Sequence, residues 1–390
     1  MMKLPSLKQN FSQLIATPSI SSLDPKLDTD NQPVLDLLES WLTDLGFECQ
    51  RQAVPGSRGK HNLVAKYGSG DGGILFAGHT DTVPFDDSGW HSDPFAMTEK
   101  DDKWYGLGTC DMKGFFAIVA EALSQLPLKN LKRPVYVFAS ADEETTMAGA
   151  KALAADPIIN PDFAIIGEPT GLQPVYLHKG HMATGIRVHG RSGHSSDPDN
   201  GLNAIGVMHK VLSQLMKLQE YLKSNYSTDD FTVGYPTLNF GKIEGGDAAN
   251  RICGCCELHI DIRPLPGLAL AELNALVVQF LSGLQQEYPN CIDVKELYPG
   301  AEPFKGDNNN AFSDLVAHVT GKQPMAVNYA TEAPYIQSLG CQTLVLGPGS
   351  IDQAHQPNEY LALDQLQPSV DLIKTLVHQC CSQANMTKNA

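Results

Sequence analysis

ILFAGHTDTVP (residues 74–84) opens as a short apolar run and ends in a polar turn holding His79 and Asp81. A run of this kind bounded by turn residues reads as a buried strand. In an open α/β sheet the working residues lie just beyond the carboxyl ends of the strands. The same pattern recurs three times: VYVFAS (135–140) runs into ADEET, FAIIG (163–167) into EPT, and TLVLG (343–347) into GPGSIDQAH. A long amphipathic stretch, DMKGFFAIVAEALSQL, begins at Asp111. His79, Asp111, Glu144, Glu168 and His355 therefore all sit at a strand end or a helix start. Two imidazoles and three carboxylates brought to one edge make an N/O metal site of the kind zinc or cobalt prefers. Five ligands, with one Asp able to bridge, suit two ions about 3.5–4 Å apart.

The neighbours of these residues suggest a division of labour. Glu143 and Glu144 are adjacent, so one can ligate while the other takes a proton from a water molecule. Asp81, two residues after His79, is placed to orient its imidazole, since a ligating His usually gives its other N–H to a carboxylate or carbonyl. Asp111 also suits the N-cap of the helix that follows it, and the two roles are compatible.

Outward from this core the periodicity predicts helices over 4–16 and 33–45. The second carries Val34, Leu37, Leu38, Trp41, Leu42 and Leu45 on one stripe, with Gly46 as its stop. Strands near 47–54, 61–67 and 74–78, a helix over 112–126 and further alternation to about 178 describe an α/β sheet flanked by helices. From 180 to 293 the order changes to strand, helix, two strands, helix, strand, which is the ferredoxin-like α+β plan. The expected division is a discontinuous catalytic, metal-binding domain of 1–179 and 294–390 interrupted by an inserted domain of 180–293. The last ten or so residues are expected to fray.

Composition sets the outer limits. The chain has 390 residues, 42% hydrophobic and 18% charged, ordinary values for a globular protein of two domains. A net charge of −16 argues against nucleic acid or an anionic membrane as partner. No apolar run approaches the ~20 residues of a membrane span, and MMKLPSLKQNF lacks the apolar centre of a secretory signal. Nine cysteines, an odd number with two adjacent pairs, read as free thiols in a reducing compartment. Cys253, Cys255 and Cys256 lack a matching CxxC partner to complete a zinc knot. The expectation is a soluble, cytoplasmic protein.

Taken together, HTDTVP, GTCDMKGFFA, ADEET, GEPT, GHSS, TEAP and GPGSIDQAHQPNEY resemble the M20 metallopeptidase family along the whole chain. That resemblance implies a zinc-aminopeptidase-like catalytic domain with a mixed central sheet, and an inserted lid or dimerisation domain. It implies two divalent ions, zinc first and cobalt second. One would be held by His79 and Glu168, the other by Glu144 and His355, with Asp111 bridging and followed by a cis peptide. Glu143 would be the general base and Asp81 the partner of His79. His194, in SGHSS, would reach the oxyanion across a homodimer interface. Asn250 and Arg263 would match positions that grip a substrate carboxylate in relatives, and Arg251 is a further candidate. Cys110, just before Asp111, reads as packing. GTCDMKGFFA, TEAPY and GPGSIDQAHQPNEY point toward family members that deacetylate a small N-acetylated amino acid. A desuccinylase, a broader N-acyl-amino-acid deacylase or dipeptidase, and a non-catalytic metal-binding scaffold are the competing expectations.

Overall fold

A computed structural model describes residues 4–85 and 87–382, so most of the expected C-terminal fraying falls outside the described residues. The chain divides into two compact units. One holds the chain to Tyr176, Gly306–Met325 and the chain from Thr331; the other holds Leu177–Lys305 with Ala326–Ala330.

In the first unit a mixed sheet runs in the order Glu48–Ala53, His61–Tyr67, Val135–Ser140, Ile74–His79, Phe163–Pro169, Gln342–Gly347. Its four central strands, Val135–Ser140 to Gln342–Gly347, are parallel. They are buried over almost their whole length. Parallel strands covered on both faces have no solvent side to alternate with, which is why their sequences are unbroken apolar runs. Glu48–Ala53 pairs antiparallel at the rim, and its ECQRQA is correspondingly polar. Because the four central strands point one way, the residues after each emerge at one edge.

Helices flank the sheet. Gln32–Asp44 packs on Glu48–Ala53 and His61–Tyr67, and Ala333–Gln337 on Phe163–Pro169 and Gln342–Gly347. Lys113–Ser124 is buried on nearly every side, against Leu7–Ile15, Leu366–Val377 and the Ile74–His79 strand. A helix apolar all round belongs in an interior. Its N-cap is Met112 and makes no side-chain capping bond, so Asp111 lies outside the helix with its carboxylate available for other contacts. A small sheet that periodicity did not indicate joins Thr98–Lys100, Lys103–Tyr105 and Tyr360–Ala362. These strands are three residues each, too short to show a period.

Two glycines close the edge where the chemistry gathers. A Cβ on Gly347 would run into the Gly167 carbonyl and come within 2.6 Å of the Glu168 carbonyl oxygen. Gly347→Ala is therefore expected to push the two strands apart beside Glu168 and cost about 1–3 kcal/mol, the usual range for overpacking. Denaturant unfolding checks this, and an unchanged midpoint would show that the strands have room.

The second unit is an antiparallel sheet ordered Thr237–Gly245, Cys255–Arg263, His181–His189, Ile292–Ala301. Its two helices are Ala204–Asn225 and Leu270–Glu287. In chain order this is the ferredoxin-like plan. Asn203 caps the first helix, its side-chain oxygen accepting from the Ile205 and Gly206 amides at 3.0 and 3.3 Å. Val207, Val211, Leu215, Leu218 and Leu222 continue the buried stripe and meet Leu273, Val277, Leu281 and Leu284 of the second in one core. The last strand continues to Ala301 by way of irregularities at Glu296/Tyr298 and Tyr298/Ala301. All nine cysteines are free.

Candidate metal centre

The strand ends bring His79, Asp111, Glu143, Glu144, Glu168 and His355 together in the first unit. His79 is the last residue of its strand, and its Nε2 lies 3.0 Å from Asp111 Oδ1 and 3.7 Å from Glu168 Oε1. His355 Nε2 lies 2.9 Å from Glu144 Oε2 and 3.6 Å from Asp111 Oδ2. Asp111 thus turns one oxygen toward each histidine. The Asp111–Met112 peptide is cis. Donor atoms of His79, Glu143 and Glu168 lie within 4.8 Å of one another, as do those of His79, Asp111 and Glu144. Glu143 is the one carboxylate of the four that forms an ion pair with neither histidine among the described residues.

Asp81 works through two different groups. Its backbone carbonyl oxygen is 2.9 Å from His79 Nδ1, whereas its carboxylate is 3.7 Å away. The carboxylate instead accepts from the Glu143 and Glu144 amides, at 3.3 and 3.1 Å. The imidazole is oriented by the carbonyl, and the side chain holds the backbone of the glutamate pair.

The electrostatics state what the cluster lacks. Burial pushes the Glu143 and Glu168 carboxyls well above their ordinary range, and neighbouring carboxylates add to the shift while His79 opposes it. Burial also raises Glu144, and the Asp111 charge adds to it. Burial opposes a charge on His79, yet the Asp111 hydrogen bond and the Glu168 charge raise its basicity well above that of a free imidazole. The Glu144 hydrogen bond lifts His355 to about 9. No lysine or arginine among the described residues pairs with any of the four carboxylates. Four crowded carboxylates and two imidazoles with no fixed cation are a donor set suited to divalent cations. Metal binding to groups of raised proton affinity competes with their protonation. Zinc binding to the metal-free protein is therefore expected to release protons and to weaken as pH falls. Calorimetry in buffers of different ionisation enthalpy measures this; a buffer-independent heat would contradict it.

The remaining candidates lie in the second unit. His194 is exposed, with Nδ1 2.7 Å from the Ser196 hydroxyl, and it bridges to Arg251 through the backbone. The Ser195 amide donates to the Asn250 carbonyl at 3.2 Å, so His194, Asn250 and Arg251 share one loop cluster. Arg251 is paired with Asp247 at 2.6 Å. Arg263 is not part of this cluster. It ends the Cys255–Arg263 strand, roughly 25 Å of extended chain away, where Asp261 lies 2.9 Å from its Nε and 2.7 Å from His181.

Several buried charges around the centre were not anticipated. Glu359, within HQPNEY, accepts from the amides of Gly108, Cys110 and Asp111 at 2.9, 2.7 and 2.9 Å. Its position in the motif four residues after His355 was the available signal. Lys60 pairs with Asp142, and also with Asp28 at 2.7 Å and the Ser21 hydroxyl at 3.0 Å; nothing local marks it. Glu332, in TEAPY, is fully buried near the centre, and burial raises its carboxyl to about 7.

Comparison with known proteins gives the family. Residues 75–379 match the model of peptidase family M20/M25/M40. The acetylornithine deacetylase of Erwinia tasmaniensis is 52% identical over 97% of this chain and 99% of its own length. That of Photorhabdus laumondii is 50% identical over 98% and 99%. Among solved structures, an M20 metallo-carboxypeptidase from Sulfolobus solfataricus superposes with a TM-score of 0.76 at 18% identity, covering 96% of this chain and 99% of that one. The matched span contains every side chain gathered at the sheet edge, and half-identical relatives cover nearly the whole sequence: the chain belongs to the M20/M25/M40 peptidase family.

Proposed function

We infer that this chain hydrolyses the acetyl amide of N2-acetyl-L-ornithine, releasing L-ornithine and acetate, a step of arginine biosynthesis. The observation that carries the reading is the pair of half-identical acetylornithine deacetylases, matched over nearly the whole chain. The clustered donor set supplies the chemistry such a hydrolase needs.

Two divalent ions are proposed, zinc first and cobalt second. His79 and Glu168 would hold one, Glu144 and His355 the other, and Asp111 both. The support is that Asp111 turns its two oxygens toward the two histidines. When bound, such ions acidify the attacking water and polarise the acyl carbonyl. Glu143, buried beside His79 and Glu168 and paired with neither histidine, takes the water proton and delivers it to the departing amine. Asp81 keeps His79 and the glutamate pair in register. His194 is proposed as the donor to the tetrahedral oxyanion, supplied by a second copy of the chain in a homodimer. The second unit would then serve as lid and dimerisation unit. Asn250 and Arg263, with Arg251 as a further candidate, are proposed to grip the substrate carboxylate. No helix among the described residues is long and apolar enough to cross a membrane, and a cytoplasmic location is part of the proposal.

The test is hydrolysis of N-acetyl-L-ornithine beside N-succinyl-diaminopimelate and N-acetylmethionine, with and without chelator. The expected result is preference for acetylornithine, lost on chelation and restored by zinc or cobalt. Preference for another substrate would retain the site and reject the specificity. Full activity in metal-free protein would reject the two-ion site.

A further inference from the structure

Resting on the two-ion reading, we propose that Glu359 is a positioning residue that shapes the Asp111 loop before any ion binds. The buried Glu359 carboxylate receives three backbone amides of that loop: Cys110 and Asp111 on Oε1, Gly108 on Oε2. Its own backbone carbonyl accepts from the Gly106 amide at 3.0 Å. Tyr360, the next residue, pairs with Tyr105 in the small sheet, which fixes Glu359 opposite the loop. Gly108 has φ of +86°, a left-handed conformation that bends the chain around the carboxylate.

These contacts explain how Asp111 can face two histidines without helical support. It lies before the first helical turn, so no intrahelical bond holds its backbone. Both side-chain oxygens of a glutamate can accept, so Glu359 satisfies three N–H donors at once. A glutamine of the same size cannot, because its NH₂ must face one of them. Glu359 touches neither substrate nor, on this reading, an ion; it acts through Asp111, whose oxygens lie 3.0 and 3.6 Å from His79 and His355.

The test is Glu359→Gln in the full-length protein. Zinc affinity is measured by competition with a chromophoric chelator, and the visible spectrum of the cobalt-loaded protein is recorded. Binding 10- to 100-fold weaker than wild type, the usual penalty for losing a group that orients a ligand, is expected, with an altered cobalt spectrum. A folded variant with wild-type affinity and an unchanged spectrum would overturn the proposal. Should the variant not fold, amide exchange in the chelator-treated wild-type protein decides. Protection at Gly108, Cys110 and Asp111 supports a cradle formed without metal, and free exchange there rejects it. If the wild-type protein takes up no ion, the two-ion reading fails, and amide exchange still decides for or against the cradle.

Discussion

Glu143→Gln is expected to lower kcat by 10²–10⁴-fold, the contribution a positioned general acid–base makes, or about 2.7–5.4 kcal/mol of barrier. The substitution preserves volume and removes the ability to accept and return a proton. It leaves the Glu143 amide free to keep its bond to the Asp81 carboxylate, so the backbone should not move. KM and metal content should stay near wild type, because Glu143 has no histidine partner to release. In the wild-type enzyme kcat/KM should fall as pH drops, since a protonated Glu143 cannot accept the water proton. The residual activity of the variant should lose that dependence on Glu143. Activity within tenfold of wild type would remove Glu143 as the base. A variant that binds only one ion would make Glu143 a ligand and shift the base role elsewhere.

The parallel strands were legible because they are buried on both faces, so runs such as ILFAG and TLVLG show the sheet without help from distant residues. Residues following such runs meet at one edge by geometry alone, which is why His79, Glu143, Glu144, Glu168 and His355 could be singled out. Other features depend on contacts that no local pattern encodes. Glu359 reaches amides some 250 positions away, with sequence separations of 248, 249 and 251. Asp81 was legible as a neighbour of His79. Its use of the carbonyl for the imidazole and the carboxylate for Glu143 and Glu144 depends on how two strand ends lie side by side. An Asp before a helix suggests a cap, and only the start of the helix at Lys113 shows that Asp111 is not one. Arg263 and Asn250 looked alike as polar lid residues, yet within the second unit the length of one strand separates them.

Lys60→Met should destabilise the first unit by about 3–5 kcal/mol, because it leaves buried carboxylates without their cation. Lys60 is 2% exposed. Burial alone would lower its basicity, but hydrogen bonds to Asp142 and Asp28 and the charges of Asp142 and Asp81 raise it above an ordinary lysine. A raised folded-state value means that the charged lysine stabilises the fold at every pH below the normal lysine range. The contribution fades only as pH climbs through that raised value, so the wild-type protein should lose it under strongly alkaline conditions alone. The location matters as much as the energy. Asp142 adopts a left-handed backbone, φ +57°, immediately before Glu143, and the Ser21 hydroxyl donates to its carboxylate at 2.7 Å. Lys60 and Ser21 therefore hold the segment carrying Glu143 and Glu144 from behind, while Asp81 holds it from the side of His79. Denaturant unfolding of Lys60→Met beside a triple variant, Lys60→Met with Asp28→Asn and Asp142→Asn, separates charge from shape. The triple variant removes the unpaired charges and should regain much of the lost stability. A single variant that loses less than about 1 kcal/mol, the range of an exposed ion pair, would mean that water reaches these carboxylates and that the glutamate segment holds its shape without Lys60.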